Sequence, residues 1–207
     1  GYWIARRSNT LGLNMTKLEQ AIALLQEVLA EQKNTPTVAP SAGLLWGSKV
    51  SAVFRDRVRW IGTELGVNPD HLMACIAFET GETFSPDVRN MAGSGATGLI
   101  QFMPATARGL GTTTSALARM TAEDQLNYVY KYFEPYKGKL HTLEDVYMAI
   151  LWPRAVGEPN SHVLFAQGGI TYRQNAGLDK NRDGSITKAE AAGMVLAKAA
   201  KGESFRA

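Results

Sequence analysis

The sequence predicts a mainly α-helical domain, and three observations carry that reading. Apolar residues recur at three- and four-residue spacing over long stretches. Several of these stretches open on paired capping residues: Asn68-Pro69-Asp70, Thr121 with Asp124, Thr142 with Asp145. No run of alternating apolar and polar residues is long enough to predict a strand. At 207 residues the chain can bury one sizeable core with an appendage, and 45% apolar with 20% charged residues is ordinary for a globular protein.

The elements follow in order. Leu18, Ile22, Leu25 and Leu29, after the Thr16/Glu19 capping pattern, predict a helix over 16–33. Its narrow apolar stripe needs a partner surface, either on this domain or in a coiled coil of a longer chain. Gly1 in place of Met points the same way, toward a longer parent. The stretch 34–43, with Pro36 and Pro40, predicts an extended linker. Residues 44–207 then form the main domain. Trp46, Val50, Val53/Phe54, Val58, Ile61 and Leu65 mark a first apolar face, closed by Gly66. Asn68, Pro69 and Asp70 open a second helix that stops at Gly81. A third runs from Thr121 toward Pro135, and a fourth from Thr142 to Trp152-Pro153. Loops are expected between Phe84 and Ile100 and after Pro153, with a last helix over 187–201.

The second helix carries a glutamate at an unfavourable position. Leu72, Cys75, Ile76 and Glu79 share one face, so Glu79 sits on the apolar stripe and in the last turn, where the helix dipole disfavours negative charge. Both effects raise a carboxyl pKa, which a general acid working near neutral pH requires. The competing reading is a boundary residue turned to solvent or paired with Arg89, Arg108 or Lys131. Nineteen residues later stands Gly98-Leu-Ile-Gln101, followed by Phe-Met-Pro-Ala-Thr-Ala107 and preceded by the small-residue loop 93–97. Glycines let backbone approach a ligand closely, and Gln101 can both donate and accept, to a ligand or to Glu79. The plainer alternatives are a helix-start glutamine satisfied by backbone and, at Ser94, a turn serine.

These paired motifs resemble the soluble lytic transglycosylase group of the goose-type lysozyme superfamily, over roughly residues 44–165. That family carries a catalytic Glu at a helix end and then Gly-Leu-Met-Gln; here Thr80 stands for the usual Ser, and Ile100 for Met. The family's third motif, Ala-Tyr-Asn, is absent. Residues 145–157 instead resemble the variant in lytic transglycosylase-like domains of phage endolysins and virion-associated lysins. The resemblance implies a lysozyme-like fold and a phage-encoded lysin, in the virion or the host cytoplasm, that acts on peptidoglycan in the host periplasm. It implies Glu79 as the catalytic acid/base and Ser94, Gly98, Gln101 and Tyr147 as substrate-binding residues. Tyr147 and Trp152 also suit core packing, and His162 reads as a surface histidine.

A retaining or inverting glycosidase needs two carboxylates. Glu82 and Asp87 are the nearby candidates, each also readable as a solvated loop charge. Without a second group, the family's route has Glu79 acting alone and leaves a 1,6-anhydro end; a muramidase hydrolysing the same bond and an inactive wall-binding module are the rivals. A cysteine peptidase with Cys75 and His141 is disfavoured, because Cys75 is mid-helix with no cation or helix N-terminus near it. No catalytic cofactor is expected. The net charge of +3 is scattered rather than blocked, which argues against nucleic-acid binding, and no apolar run reaches the ~18–20 residues of a membrane span.

Near the end, Asp179-Lys-Asn181-Arg-Asp183-Gly184-Ser185-Ile-Thr-Lys-Ala-Glu190 matches the twelve-residue EF-hand loop. Asp179, Asn181, Asp183 and Glu190 are the side-chain candidates for a structural Ca²⁺. Against this stand the single loop, a poor entering helix over 171–178 and the positive Lys180 and Arg182. The alternative is an Asx-turn loop that caps the last helix.

Overall fold

A computed structural model describes residues 43–90 and 93–207, all within one compact unit, Ala42–Ala207. The predicted helix over 16–33 and nearly all of the predicted linker lie outside the described residues.

Among the described residues the structure is mainly helical. Helix α1 spans Ala52–Leu65, α2 Pro69–Glu79, α3 Pro104–Gly109, α4 Thr114–Leu117, α5 Ala122–Phe133 and α6 Leu143–Leu151. Strand β1 (Val163–Ala166), α7 (Ile170–Asn175), β2 (Ser185–Thr187) and α8 (Lys188–Gly202) complete the order. The capping residues read from the sequence act as caps. Asn68 Oδ1 accepts from Asp70 N at 3.0 Å, Thr121 Oγ1 from Asp124 N at 3.1 Å, and Thr142 Oγ1 from Asp145 N at 3.1 Å. Each satisfies one of the free N–H groups of a helix start, worth about 1 kcal/mol. Gly66 closes α1 with φ +68°, the left-handed conformation that glycine adopts without a Cβ penalty.

Helix α2 is the centre of the core. Six consecutive residues, Leu72 to Ala77, are buried, because α1, α6 and α8 all pack against it. The expected single stripe of Leu72, Cys75 and Ile76 is therefore too narrow; Met73, Ala74 and Ala77 are inside as well. Trp46 also departs from expectation. It stands before α1, fully buried, with its ring stacked on Phe205 at 4.9 Å and its Nε1 donating to Lys198 O at 3.0 Å.

The two short strands pair antiparallel, Phe165 against Ile186 and Ala166 against Ser185, with an irregularity between Val163 and Phe165. They escape the sequence because strands of four and three residues show no measurable alternation; Phe165 and Ile186 are their inward side chains. A buried ion pair joins the later elements: Lys188 Nζ, the first residue of α8, lies 2.5 Å from Asp145 Oδ1 of α6. No helix among the described residues is long and apolar enough to cross a membrane.

Candidate active site

Glu79 is the last residue of α2, and the backbone after it reverses in a tight C-terminal motif. Glu82 N–H donates to Ala77 O at 2.7 Å and Gly81 N–H to Phe78 O at 3.3 Å, with Gly81 at φ +59°. Thr80 reinforces the turn: its Oγ1 donates to Ile76 O at 2.7 Å and accepts from Phe84 N at 3.1 Å. The position of Glu79 is thus set by the end of a helix whose middle six residues are buried in the core.

The Glu79 side chain is half-buried, and burial pushes its pKa up to about 7, with no charged group contributing. No ion pair joins it to Arg89, Arg108 or Lys131. Two phenols stand close enough to feel its charge. Tyr147 of α6 is buried, edge-on to Phe78 at 5.5 Å. Its hydroxyl is held protonated by burial first and by Glu79 second. Tyr132 of α5 is pushed up to about 12 by burial, with smaller contributions from Tyr136 and Glu79, and its hydroxyl donates to Ala149 O at 2.7 Å. The Cys75 thiol, one turn back, is raised by burial and then by Glu79; it is a buried core group, unsuited to act as a nucleophile.

Neither nearby acid joins Glu79. Glu82, at φ +72°, turns to α8, where Lys198 and Lys201 both hydrogen-bond its carboxylate, the latter at 2.5 Å, and hold it below the ordinary carboxylate range. Asp87 is exposed and accepts from Ser85 Oγ at 2.5 Å. Neither of them contributes to the rise at Glu79, whose cause is burial.

The 98–101 motif forms the turn of a small hairpin, closed by Thr97 N–H to Phe102 O at 3.1 Å and Phe102 N–H to Thr97 O at 2.9 Å. Helix α3 begins only at Pro104, so Gln101 does not start a helix. Gln101 Nε2 donates to Val88 O at 3.1 Å and Gly98 O at 3.0 Å, which ties the hairpin to the 85–90 segment. It does not bond Glu79, and Ser94 Oγ accepts from Ala96 N at 3.2 Å in an exposed turn. The residue that organises this loop was not foreseen. Gln125 of α5 is fully buried; its Oε1 accepts from Leu99 N at 2.6 Å, and its Nε2 donates to Pro86 O and Leu117 O, each at 3.0 Å. Gly98 is required by that contact: it has φ +88°, and a Cβ there would lie 2.2 Å from Gln125 Oε1. Gly98→Ala is expected to cost on the order of 2 kcal/mol, measured by denaturant unfolding.

The remaining candidates are spread along the later part of the chain. Trp152 packs edge-on to Phe165 at 5.0 Å and, with Pro153 and Arg154, borders an open hollow of about 410 Å³. His162 is half-exposed, 3.6 Å from Glu158. In the 179–190 loop, Asp179 is buried, Asn181 and Asp183 are exposed, and Glu190 caps α8 by accepting from Thr187 N at 2.9 Å. No group of three or more His, Cys, Asp or Glu side chains stands together as a metal cluster among the described residues. Neither a family model nor a curated protein matches the chain.

Proposed function

We propose that the protein is a peptidoglycan lytic transglycosylase, cleaving the β-1,4 bond between MurNAc and GlcNAc with Glu79 as its single acid/base. The observation that carries this reading is a carboxylic acid at the end of a core helix, half open to solvent and joined by no second carboxylate among the described residues, with its pKa raised to about 7 by burial. Such a group holds its proton at neutral pH and can give it to the leaving glycosidic oxygen. Cleavage leaves positive charge at the MurNAc C1, which the oxygen of that sugar's own N-acetyl group stabilises. Glu79, now a carboxylate, takes the proton of the C6 hydroxyl as O6 bonds to C1. The product is a 1,6-anhydro end, and no water and no second carboxylate enter the reaction.

The walls around Glu79 serve the same chemistry. Phe78, Tyr132 and Tyr147 keep the environment poorly hydrated, and the phenols stay protonated throughout. Tyr147 is the candidate for the aromatic position of the missing Ala-Tyr-Asn motif, and Trp152 offers a flat apolar surface of the kind sugars stack on. The likeness of residues 145–157 to phage lysins extends the proposal to a phage enzyme acting on the host wall from the periplasm.

A turbidity assay on permeabilised Gram-negative cells tests activity, and its pH dependence tests the acid. Clearing is expected, with kcat/KM falling about tenfold per unit as pH rises above ~7, because only the protonated Glu79 starts the reaction. No clearing by the folded protein would favour a wall-binding module that lacks catalysis.

A further inference from the structure

The 179–190 loop carries two carboxylate oxygens that nothing in the protein satisfies. Asp179 Oδ1 and Glu190 Oε1 are both buried without a hydrogen-bond partner, and the Asp179 residue as a whole is only 8% exposed. A buried carboxylate oxygen normally finds a donor, since leaving it bare costs more than an ordinary hydrogen bond returns. The second oxygen of each residue is well held. Asp179 Oδ2 accepts from Tyr172 OH at 2.6 Å and Gly184 N at 3.0 Å. Glu190 Oε2 accepts from Thr187 N at 2.9 Å and Thr187 Oγ1 at 2.8 Å. The protein therefore locks both carboxyl groups in place while one oxygen of each stays bare. The backbone amides of Arg182 and Asp183 lie near Asp179, and those of Lys180 and Asn181 near Glu190, outside hydrogen-bonding geometry to either bare oxygen.

These two residues are positions one and twelve of the EF-hand pattern, and the surrounding backbone fits the other positions. Gly184, at position six, has φ +86°. Positions seven to nine form β2, whose open edge is covered by β1, so the lack of a second loop does not leave it unpaired. Helix α7 and a 3₁₀ turn at Ala176–Leu178 lead into Asp179, and α8 leaves from Lys188. Lys180 does not face the carboxylates; its Nζ donates to Gly177 O at 2.7 Å. Asp183 is occupied within the loop, accepting from Ser185 N at 2.8 Å and Asn181 Nδ2 at 2.9 Å. Among the described residues no three acidic side chains stand together, so the amide oxygen of Asn181, which also accepts from Asp183 N at 2.9 Å, and the Ser185 carbonyl would share the coordination as hard oxygen donors suited to Ca²⁺.

We infer that this loop is a single Ca²⁺ site, built on Asp179 and Glu190, that fastens the β1–β2 pair and α7 to the start of α8. It acts on stability rather than on the bond-breaking step, and it stands independently of the function proposed for Glu79. With only three acidic positions and two flanking cations, its affinity belongs at the weak end, with Kd roughly 10⁻⁴ M.

The experiment is calorimetric titration of CaCl₂ into the full chain after EDTA treatment, with thermal unfolding in parallel. One saturable site is expected, and at ~10 mM CaCl₂ Tm rises by roughly 5–10 °C, a rise that NaCl of equal ionic strength does not reproduce. Asp179→Asn and Glu190→Gln should each abolish both signals, and Asn181→Asp, an exposed change that trades a hydrogen bond to Asp183 for a further anionic ligand, should tighten binding several-fold. Absence of binding at ~10 mM CaCl₂, an equal rise with NaCl, a signal surviving in both carboxyl variants, or no tightening in Asn181→Asp would overturn the inference.

Discussion

Glu79→Gln is expected to lower wall-lytic activity by about 10²–10⁴-fold and, at pH 8, to make the protein more stable. Both effects have one cause. Burial raises the Glu79 pKa from 4.5 to about 7, so the folded protein holds this proton more tightly than the unfolded chain does. For a group raised in the folded state, the contribution to stability is complete below the ordinary carboxyl pKa and is lost as pH rises through the folded value. At pH 8 the half-buried charge therefore costs about 2 kcal/mol, after allowance for its solvent-facing side. Glutamine has nearly the same shape and no charge to desolvate. Its Tm should exceed that of the wild type by roughly 5 °C at pH 8 and match it near pH 4.5. A variant that stays active would remove Glu79 from the chemistry, and one no more stable at pH 8 would show that burial does not raise its pKa.

The second large effect lies away from the acid. Asp145 and Lys188 are almost fully buried and 2.5 Å apart, and each makes further bonds: Gly157 N–H donates to Asp145 Oδ1 at 2.9 Å, and Lys188 Nζ to Glu158 O at 2.8 Å. Removing one partner strands a charge in the core. Asp145→Ala is expected to cost about 3–5 kcal/mol, a fall in Tm of roughly 10 °C by calorimetry. Pairing it with Lys188→Met should recover much of the loss, because the double variant buries no unpaired charge. Burial alone would raise the Asp145 pKa, but the bonds from Lys188 and Gly157 outweigh it and hold the carboxyl below its usual range. The sign here is opposite to that of Glu79: this stability is present above the ordinary carboxyl pKa and is lost as pH falls below it.

Much of the scaffold of this site is legible before any coordinates. Asn68, Thr121 and Thr142 announce helix starts through local chemistry that needs no tertiary partner, and the helices follow from them. Glu79 stands out for a similar reason, a charge set on an apolar face. What is not legible depends on distant segments. The burial of Met73, Ala74 and Ala77 requires α8, far along the chain, to close over α2. Gln125 reads as a surface residue of an amphipathic helix until two loops and the end of α4 converge on it. The withdrawal of Glu82 from Glu79 likewise depends on Lys198 and Lys201, more than a hundred residues away.

The decisive measurement is the chemistry of the new glycan ends. Purified sacculi are digested with the wild-type protein, and the released muropeptides are analysed by mass spectrometry. A single acid/base at Glu79 yields 1,6-anhydroMurNAc ends, each one water lighter than the hydrolytic product, and Glu79→Gln yields none. Reducing MurNAc ends in their place would mean that water attacks the bond, and the proposal of one carboxylate acting alone would be wrong.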